Sequence, residues 1–283
     1  MPYSPGGGFD REARWIAAHL PSLLPKKVTM IVENNPGAGG RTGITKIYKS
    51  KPDGYTLGTL GFPALLVTQL LEAAEYDPMK FVYLGDRGPN PFCLAVTADS
   101  PYNSLEDLQK ADKELRIGVV GVGGTDWFVS KVAIAELKIP AVFIGGYSGA
   151  SGVTTATLRG ELDIHIRVVS SLTPFFESGD FKPIFMINTE RNEAIPDTPT
   201  TMELGYERIS KLYSRRPIIA PPGTHKEITD ILENALQTIW QDKEYIKWAE
   251  TNNEIVKPIS GKEMMNEIIN TQETIEKYRE ILK

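Results

Sequence analysis

Residues 3–20 read YSPGGGFDREARWIAAHL and place a proline and three glycines directly before a helical pattern. The apolar residues from Ala13 to Leu20 recur at the spacing of one helix face, and Asp10 suits a first turn, so a helix is predicted from about Phe9. The glycines then lie at the helix N-terminus, where unpaired N–H groups and a partial positive charge attract an anion. From this stretch alone, a tight turn whose residues need positive φ explains the glycines equally well.

A second glycine-rich stretch, NNPGAGGRTG at residues 34–43, follows the strand-like run VTMIVE at residues 28–33 and precedes a helical pattern from about Thr42. Two such loops suggest one site built from both. The glycines of this loop are out of register for the dinucleotide-binding pattern, and the chain has no Gly-Lys-Ser/Thr for a phosphate loop. A nucleotide site is therefore not expected.

The composition narrows the class of protein. The 283 residues are 41% hydrophobic and 24% charged, with a net charge of −5, which describes an ordinary globule without general attraction to nucleic acid or anionic membranes. The single cysteine, Cys93, excludes an internal disulfide framework and a cysteine-rich zinc site. An α/β unit normally has a strand before its first glycine loop, so we expect that a leader and most of a first strand precede Met1.

Short strand-like runs alternate with helical runs such as 126–137 and 149–159. This order predicts α/β layers with largely parallel sheets. The predicted strands are residues 28–33, 55–60, 92–97, 115–120, 141–146, 163–169 and 182–187.

Three helix starts pair a hydroxyl with a carboxylate three residues later, the pattern of a capping box. They are Ser104 with Asp107, Thr224 with Glu227, and Ser260 with Glu263.

Proline-rich turns suggest that the chain crosses between two domains near residues 98–103 and again near 213–220. The predicted division is a discontinuous first α/β domain, residues 1–100 plus 218–283, and a second α/β domain, residues 101–217. Two linking segments would form a hinge, and a ligand would bind in the cleft between the domains.

Several phrases, in order along the chain, resemble one family: PYSPGGGFD, VENNPGAGGRTG, KPDGYTLGT, YSGASGVTTATLRGELD, TPTTMELG and APPGTHKEITDILENAL. The sequence resembles the substrate-binding proteins of tripartite tricarboxylate transporters, often called Bug receptors. The resemblance covers nearly the whole chain, from about Pro2 to the C-terminal helices.

The resemblance implies a Venus-flytrap receptor, periplasmic or otherwise extracytoplasmic and either free or lipid-anchored, whose two α/β domains close on a small organic acid. Its implied partners are that ligand and the membrane permease subunits, with no nucleic acid, cofactor or metal, and it is expected to be a monomer. Docking of the loaded receptor on a sensor kinase is an alternative output that the sequence does not separate from transport.

The resemblance also implies binding residues. In the first domain they are Ser4, Gly7, Gly8, Asp10, Gly37, Ala38, Gly39, Gly40 and Phe62. In the second domain the third glycine turn, the tyrosine turn that also includes Ser148, and the end of a later strand supply Gly124, Thr125, Asp126, Trp127, Tyr147, Arg167 and Ser170.

Three of these residues depart from the common family pattern. Asp126 repels a carboxylate ligand unless that ligand carries an amine, or else it caps the helix. Trp127 either stacks on an aromatic ligand or lies in the core. Arg167, just before a Ser170–Ser171 turn, either binds a second ligand carboxylate or forms an ordinary salt bridge.

An enzyme is the less favoured interpretation. The histidines His19, His165 and His225 are scattered without metal-ligand spacing, and the chain has no nucleophile elbow of the form G-x-S-x-G. Cys93 lies in a strand-like run and is expected to be a small buried hydrophobe. A hydrolase based on paired carboxylates is left open, although no spacing singles out a pair.

Overall fold

The computed structural model describes residues 1–71, 74–147 and 149–282. The chain forms two compact units. Unit 1 consists of Met1–Pro89, Arg215–Thr251 and Ile255–Arg279, and unit 2 of Asn90–Ser214, Asn252–Glu254 and Glu280–Lys283.

Helices and strands alternate through much of the described chain. The strands are β1 (Gly58–Thr59), β2 (Val82–Gly85), β3 (Asn90–Thr97), β4 (Leu115–Gly118), β5 (Ala141–Ile144), β6 (His165–Val168), β7 (Phe181–Ile187), β8 (Tyr213–Ser214) and β9 (Ile218–Ala220). The helices are α1 (Gly8–His19), α2 (Arg41–Tyr48), α3 (Ala64–Leu71), α4 (Leu105–Gln109), α5 (Thr125–Leu137), α6 (Ala150–Leu158), α7 (Val169–Glu177), α8 (Lys226–Gln241), α9 (Lys243–Thr251), α10 (Gly261–Lys277) and α11 (Arg279–Leu282).

Unit 1 is built on a sheet in which β9 lies between β1 and β2, antiparallel to both. Helices α1 and α8 cover it with apolar side chains, among them Ile16, Leu236, Ile239 and Trp240, each no more than 2% exposed. Amphipathic helices of this kind are stabilised mainly by burying one apolar face. The apolar face of α8 is therefore part of the core.

Unit 2 contains a mixed sheet. Strand β4 pairs with β5 in parallel, and a parallel bridge joins Ile117 to Ile164, just before β6. Strand β3 is antiparallel to β6, β7 and β8. The prediction of largely parallel sheets was wrong, because a buried apolar strand looks the same in either direction and only its connections set its orientation.

The first crossing between the units lies at Pro89 and Asn90, earlier in the chain than the expected 98–103. The cause is β3, which the sequence division assigned to the first domain. Its ladders join it to β6 and β7 of unit 2.

Two local predictions were wrong. Residues 28–33 are not in a strand ladder of the described structure. Helix α8 has His225 rather than Thr224 as its N-cap, and the Thr224 hydroxyl instead donates to the carbonyl of Pro221 at 2.8 Å.

The other two caps are confirmed. The backbone N–H of Asp107 donates to the Ser104 hydroxyl at 3.1 Å, and Ser260 and Glu263 form a reciprocal capping box. Within the described residues, each helix is too short or too polar to cross a membrane.

Candidate functional site

The loop before α1 is held by the carboxylate of Asp10, which is 3% exposed. Its oxygens accept hydrogen bonds from the Gly6 N–H, from Asn34 Nδ2 and from Arg14 Nε, each at 2.9 Å. Charged and neutral donors both stabilise the ionised form, so the pKa of Asp10 falls to about 2, with the Arg14 hydrogen bond as the largest cause. Asp10 was predicted as a ligand contact, and in the structure it shapes the loop.

Tyr3 links the first glycine loop to the second and to the segment at Gly61. Its hydroxyl accepts a hydrogen bond from the Gly61 N–H at 2.7 Å, and its backbone carbonyl accepts one from Asn34 Nδ2 at 3.0 Å. A Cβ added at Gly40 would lie 3.0 Å from the Tyr3 ring. The two glycine loops and the segment at Gly61 are therefore neighbours within unit 1.

The second loop has unusual backbone geometry. Gly37, Ala38, Gly39 and Gly40 have φ values of 138°, 47°, 65° and 102°. Side chains with a Cβ rarely adopt this region, which explains the glycines and leaves Ala38 as a strained residue. Gly37, Ala38 and Gly39 are exposed, and Gly40 is buried.

Both loops end at helix N-termini. Gly7 is the N-cap of α1 and Gly40 that of α2. Glycine has no side chain with which to satisfy the first N–H groups of a helix, and at α2 the N–H groups of Arg41 and Thr42 donate to the backbone carbonyls of Ala38 and Gly37 instead. The helix dipole favours an anion at both starts. Helix α10, by contrast, is closed by the side chain of its N-cap Ser260.

A buried charge network, which was not predicted from the sequence, lies against the first loop. A Cβ added at Gly8 would lie 2.7 Å from Arg216 Nη2, and the Arg216 guanidinium stands 5.0 Å from the centre of the Phe9 ring. Arg216 Nη1 donates to Glu12 Oε2 at 3.3 Å, and Arg87 Nε lies 3.1 Å from the same oxygen. Gly8 therefore makes room for Arg216.

The network continues through Asp86, which is fully buried. One oxygen of Asp86 accepts from Arg215 Nη1 at 2.7 Å, and the other from the backbone N–H of Arg216 at 2.8 Å. Arg215 also donates two hydrogen bonds, of 2.6 and 2.8 Å, to the carboxylate of Glu267. The charges of Asp86 and Glu267 raise the pKa of Arg215. In the sequence, this network is visible only as two adjacent charged pairs, Asp86–Arg87 and Arg215–Arg216. Such pairs are usually exposed, so they do not predict a buried network.

Phe62 was predicted to face a ligand. Its side chain is 2% exposed, and its backbone exchanges hydrogen bonds with that of Arg215 at 3.1 and 3.2 Å. The described contacts of Phe62 are those of a core residue at the start of α3.

In unit 2, three helices begin at the carboxyl ends of strands that run in the same direction. Helix α5 follows β4, α6 follows β5, and α7 follows β6. Because β4, β5 and the chain entering β6 are parallel, these three helix N-termini lie along one edge of the sheet. Such edges are where open α/β sheets bind ligands. Helix α5 has Gly124 and α6 has Gly149 as N-cap.

The third glycine turn carries Thr125 and Asp126, both half-buried, in the first turn of α5. A carboxylate at this position interacts favourably with the helix dipole. Trp127 is 5% exposed, so its ring lies in the interior of the structure.

Tyr147 follows β5 and packs on the cluster of Val153, Ala156 and Leu162. The residue predicted beside it, Ser148, lies outside the described residues. The Ser170–Ser171 turn is not present, because α7 begins at Val169 and Ser170 stands, half-buried, in its first turn.

Arg167 is half-buried in β6, opposite Cys93 of β3. The pKa of His165 is lowered to about 3, mainly by burial and to a smaller extent by the positive charge of Arg167. His165 Nε2 lies 3.1 Å from the Thr154 hydroxyl, so this histidine joins β6 to α6 as a neutral group.

The described residues provide neither a metal-binding cluster nor a reactive thiol. They contain no group of three or more His, Cys, Asp or Glu placed to hold a metal ion. Cys93 is fully buried, and burial raises the pKa of its thiol well above the ordinary value, which disfavours the nucleophilic thiolate.

The fold is that of periplasmic binding proteins. The structure of the periplasmic binding protein BugD superposes with a TM-score of 0.83 at 23% identity, covering 99% of this chain and 95% of that one. The structure of MatC from Rhodopseudomonas palustris with bound malate gives 0.82 at 21% identity, covering 100% and 97%. The expected two-domain α/β class is confirmed.

The family can also be stated. Residues 13–283 match the model of the tripartite tricarboxylate transporter family receptor, TctC, and the chain belongs to that family. Protein BugT of Bordetella pertussis is 26% identical over 260 residues, which are 87% of this chain and 77% of BugT. The resemblance inferred from the glycine loops is confirmed, and the family is one of solute receptors rather than enzymes.

Proposed function

We propose that this receptor binds a small organic carboxylate and delivers it to the permease subunits of a tripartite tricarboxylate transporter. The observation that carries the proposal is the glycine-capped helix start, repeated in both units: Gly7 and Gly40 in unit 1, and Gly124 and Gly149 in unit 2. The partial positive charge at a helix N-terminus suits a carboxylate oxygen. The malate in MatC, a member of the same fold class, is a ligand of this chemistry.

The two compact units are proposed to act as domains that move about the segments at Pro89–Asn90 and Ser214–Arg215. In this mechanism the glycine loops of unit 1 receive one carboxylate of the ligand, and the helix starts of unit 2 supply further ligand contacts. The receptor would act as a monomer in the periplasm, free or lipid-anchored.

Arg167 is proposed to select ligands with a second carboxylate. It lies at the carboxyl end of β6, the sheet edge where α5, α6 and α7 begin. A guanidinium can grip a carboxylate through two parallel hydrogen bonds. Such a charge-assisted contact contributes about 1.5 to 3 kcal/mol, or roughly a 10- to 150-fold difference in affinity.

The test is a titration calorimetry series with mono-, di- and tricarboxylates, repeated on protein that has been unfolded, dialysed and refolded to remove carried-over ligand. We expect a dicarboxylate or tricarboxylate to bind, and Arg167→Gln to weaken it by the factor above while leaving monocarboxylates unchanged. The matched control is Arg159→Gln, because Arg159 is exposed at the C-terminus of α6. No binding across the panel by the refolded protein would overturn the carboxylate receptor.

Gly7→Ala tests the helix start itself. Gly7 has φ −79° and no atom within 4 Å of an added Cβ, so alanine fits without strain. A methyl group there crowds the approach to the α1 N-terminus. We expect an unchanged melting temperature and roughly tenfold weaker binding, which is about 1.4 kcal/mol. Unchanged affinity would show that the ligand does not reach this helix start.

A further inference from the structure

Strand β5 forms one edge of a sheet in unit 2. Within the described residues its ladder is with β4 alone, and that ladder is parallel. The Leu115 N–H donates to the Pro140 carbonyl at 2.8 Å. At the other end of the ladder, the Val119 N–H donates to the Ile144 carbonyl at 2.9 Å. The even-numbered residues of this segment therefore direct their backbone groups towards β4.

The opposite side of β5 is open. Backbone N–H and C=O groups alternate in direction along a strand, so those of Ala141 and Phe143 point away from β4. No strand of the described chain pairs with them. All four residues of β5 are apolar, and Val142 is 38% exposed. An apolar edge without charged side chains of its own is a template for an additional strand.

A cavity of about 630 Å³ adjoins this edge. Phe143 lines the cavity and also supplies backbone groups to the open edge. The apolar lining includes Ile134 of α5, Ile139 and Ile281 of α11, which is 39% exposed. Side chains alternate between the two faces of a strand, so a strand added to β5 would place every second side chain at this cavity.

Two lysines line the same cavity: Lys131 of α5, and Lys138, the C-cap of that helix. The Lys131 ammonium lies 4.6 Å from the centre of the Phe143 ring. In the part of the chain that the structure describes, neither lysine forms an ion pair with a carboxylate. The protein as a whole has a net charge of −5, so this positive charge is a local feature. The cavity is complementary to a segment with apolar and acidic side chains.

We propose that the open edge of β5 and this cavity form a docking site for an extended segment of a partner protein that carries apolar and acidic side chains. The backbone groups of Ala141 and Phe143 bond the added strand, and its acidic side chains reach Lys131 and Lys138. In strand addition of this kind, main-chain hydrogen bonds give affinity and pockets for alternate side chains give specificity. The site goes beyond the ligand binding proposed above and does not depend on it.

A second copy of this chain fits the site less well. A twofold pairing of two β5 edges brings the same surface of both copies together, so Lys131 and Lys138 would meet their own counterparts. Strand β5 has no acidic residue to offset these charges. A free organic anion would neutralise the lysines but would leave the strand edge unpaired. Open backbone groups and unpaired lysines together therefore favour an acidic, extended polypeptide.

The test is amide hydrogen exchange with a capped nine-residue peptide in which five threonines alternate with glutamate, valine, valine and glutamate. We expect the peptide to slow exchange at Ala141 and Phe143 at least tenfold. Exchange at Val142 and Ile144, whose N–H groups already face β4, should change little. An analogue with lysines in place of both glutamates should protect neither residue. No protection by the acidic peptide at millimolar concentration, or equal protection by both peptides, would overturn the proposal.

Variants of the protein test the two halves of the site. The double variant Lys131→Gln and Lys138→Gln should weaken peptide binding roughly 2- to 30-fold, the range expected for two exposed ion pairs. Lys211→Gln, at an exposed lysine of the same unit, is the matched control. Ala141→Pro removes a donor that faces away from β4, so it should abolish binding and leave the melting temperature nearly unchanged. Unchanged affinity in the double variant would refute the acidic partner.

A modified peptide tests strand pairing with the protein unchanged. Alternate N–H groups of an added strand face β5. N-methylation of the two valines and N-methylation of the threonines beside them should therefore differ, one abolishing binding and the other retaining it. Equal effects would refute strand addition. Protection of Ala141 and Phe143 that rises with protein concentration in the absence of peptide would identify a second copy and would also overturn the proposal.

Discussion

Replacing Asp10 by asparagine should destabilise the protein at neutral pH and abolish one part of its acid sensitivity. The carboxylate accepts hydrogen bonds from Gly6, Arg14 and Asn34, all at 2.9 Å. An asparagine side chain has no charge and presents only one acceptor oxygen to these donors. The first glycine loop would lose part of what holds it against residue 34.

The size of the effect follows from the pKa of Asp10. Lowering it from the ordinary value of 3.8 to about 2 corresponds to about 2.4 kcal/mol at neutral pH. The side chain of Arg14, the partner with the largest effect, is 52% exposed and its charge is screened by water. The expected loss of unfolding free energy is therefore roughly 1 to 2 kcal/mol.

The sign of the pH dependence is fixed by the lowered pKa. Folding favours the ionised form, so the contribution is complete above the unfolded pKa near 4 and is lost as pH falls towards about 2. The difference in stability between wild type and Asp10→Asn should then shrink over this window.

The assay is urea unfolding at several pH values, followed by tryptophan fluorescence, because Trp15, Trp240 and Trp248 all lie in unit 1. Glu114→Gln, at an exposed acid, is the control and should match wild type at neutral pH. A gap between wild type and Asp10→Asn that is absent at pH 7, or that stays constant down to pH 3, would refute the reasoning.

Three further outcomes are expected. Gly8→Ala should lower the free energy of unfolding by about 1 to 3 kcal/mol in chemical unfolding, because the added Cβ would lie 2.7 Å from the buried Arg216 side chain. The control Gly7→Ala should leave stability unchanged. Equal effects of the two substitutions would contradict the view that Gly8 makes room for Arg216. Ser260→Ala should cost about 1 kcal/mol by removing a capping box, measured in the same way, and a neutral result would show the cap to be dispensable. The pKa of His165 is lowered to about 3, so in the pH range between about 3 and 6.5 this side chain binds a proton only after unfolding. Wild type should therefore lose stability as pH falls below about 6.5, and His165→Phe should lose less. An NMR titration that shows a protonated ring in the folded protein at pH 5 would contradict this.

Local patterns predicted local structure well. The start of α1 at Gly8, the strand β3 and the caps at Ser104 and Ser260 follow from spacing, apolar runs and capping chemistry. These signals act over a few residues, so they can be read without knowing the fold. Residues 28–33 were predicted as a strand, and they do have its alternation, but a ladder also needs a neighbour.

The candidate site was predictable only in part. The glycine loops were visible because positive φ and close approach require glycine wherever they occur, and Gly37 and Gly40 show both. The role of Asp10 was not visible, because its partner Asn34 is distant in the chain. Whether a polar side chain meets a ligand or another side chain depends on contacts that sequence spacing does not contain.

The sequence by itself determined the α/β class, the starts of α1, α4 and α10, and the family, since these rest on periodicity, on capping residues and on phrases that survive in order along the chain. Tertiary structure decided the rest. It reversed the direction of β3, placed Trp127 and Phe62 in the interior, and gathered Glu12, Asp86, Arg87, Arg215 and Arg216 beneath the first glycine loop. The physical reason is that burial and charge pairing are properties of neighbours in space, and a buried arginine and an exposed one look the same in a sequence.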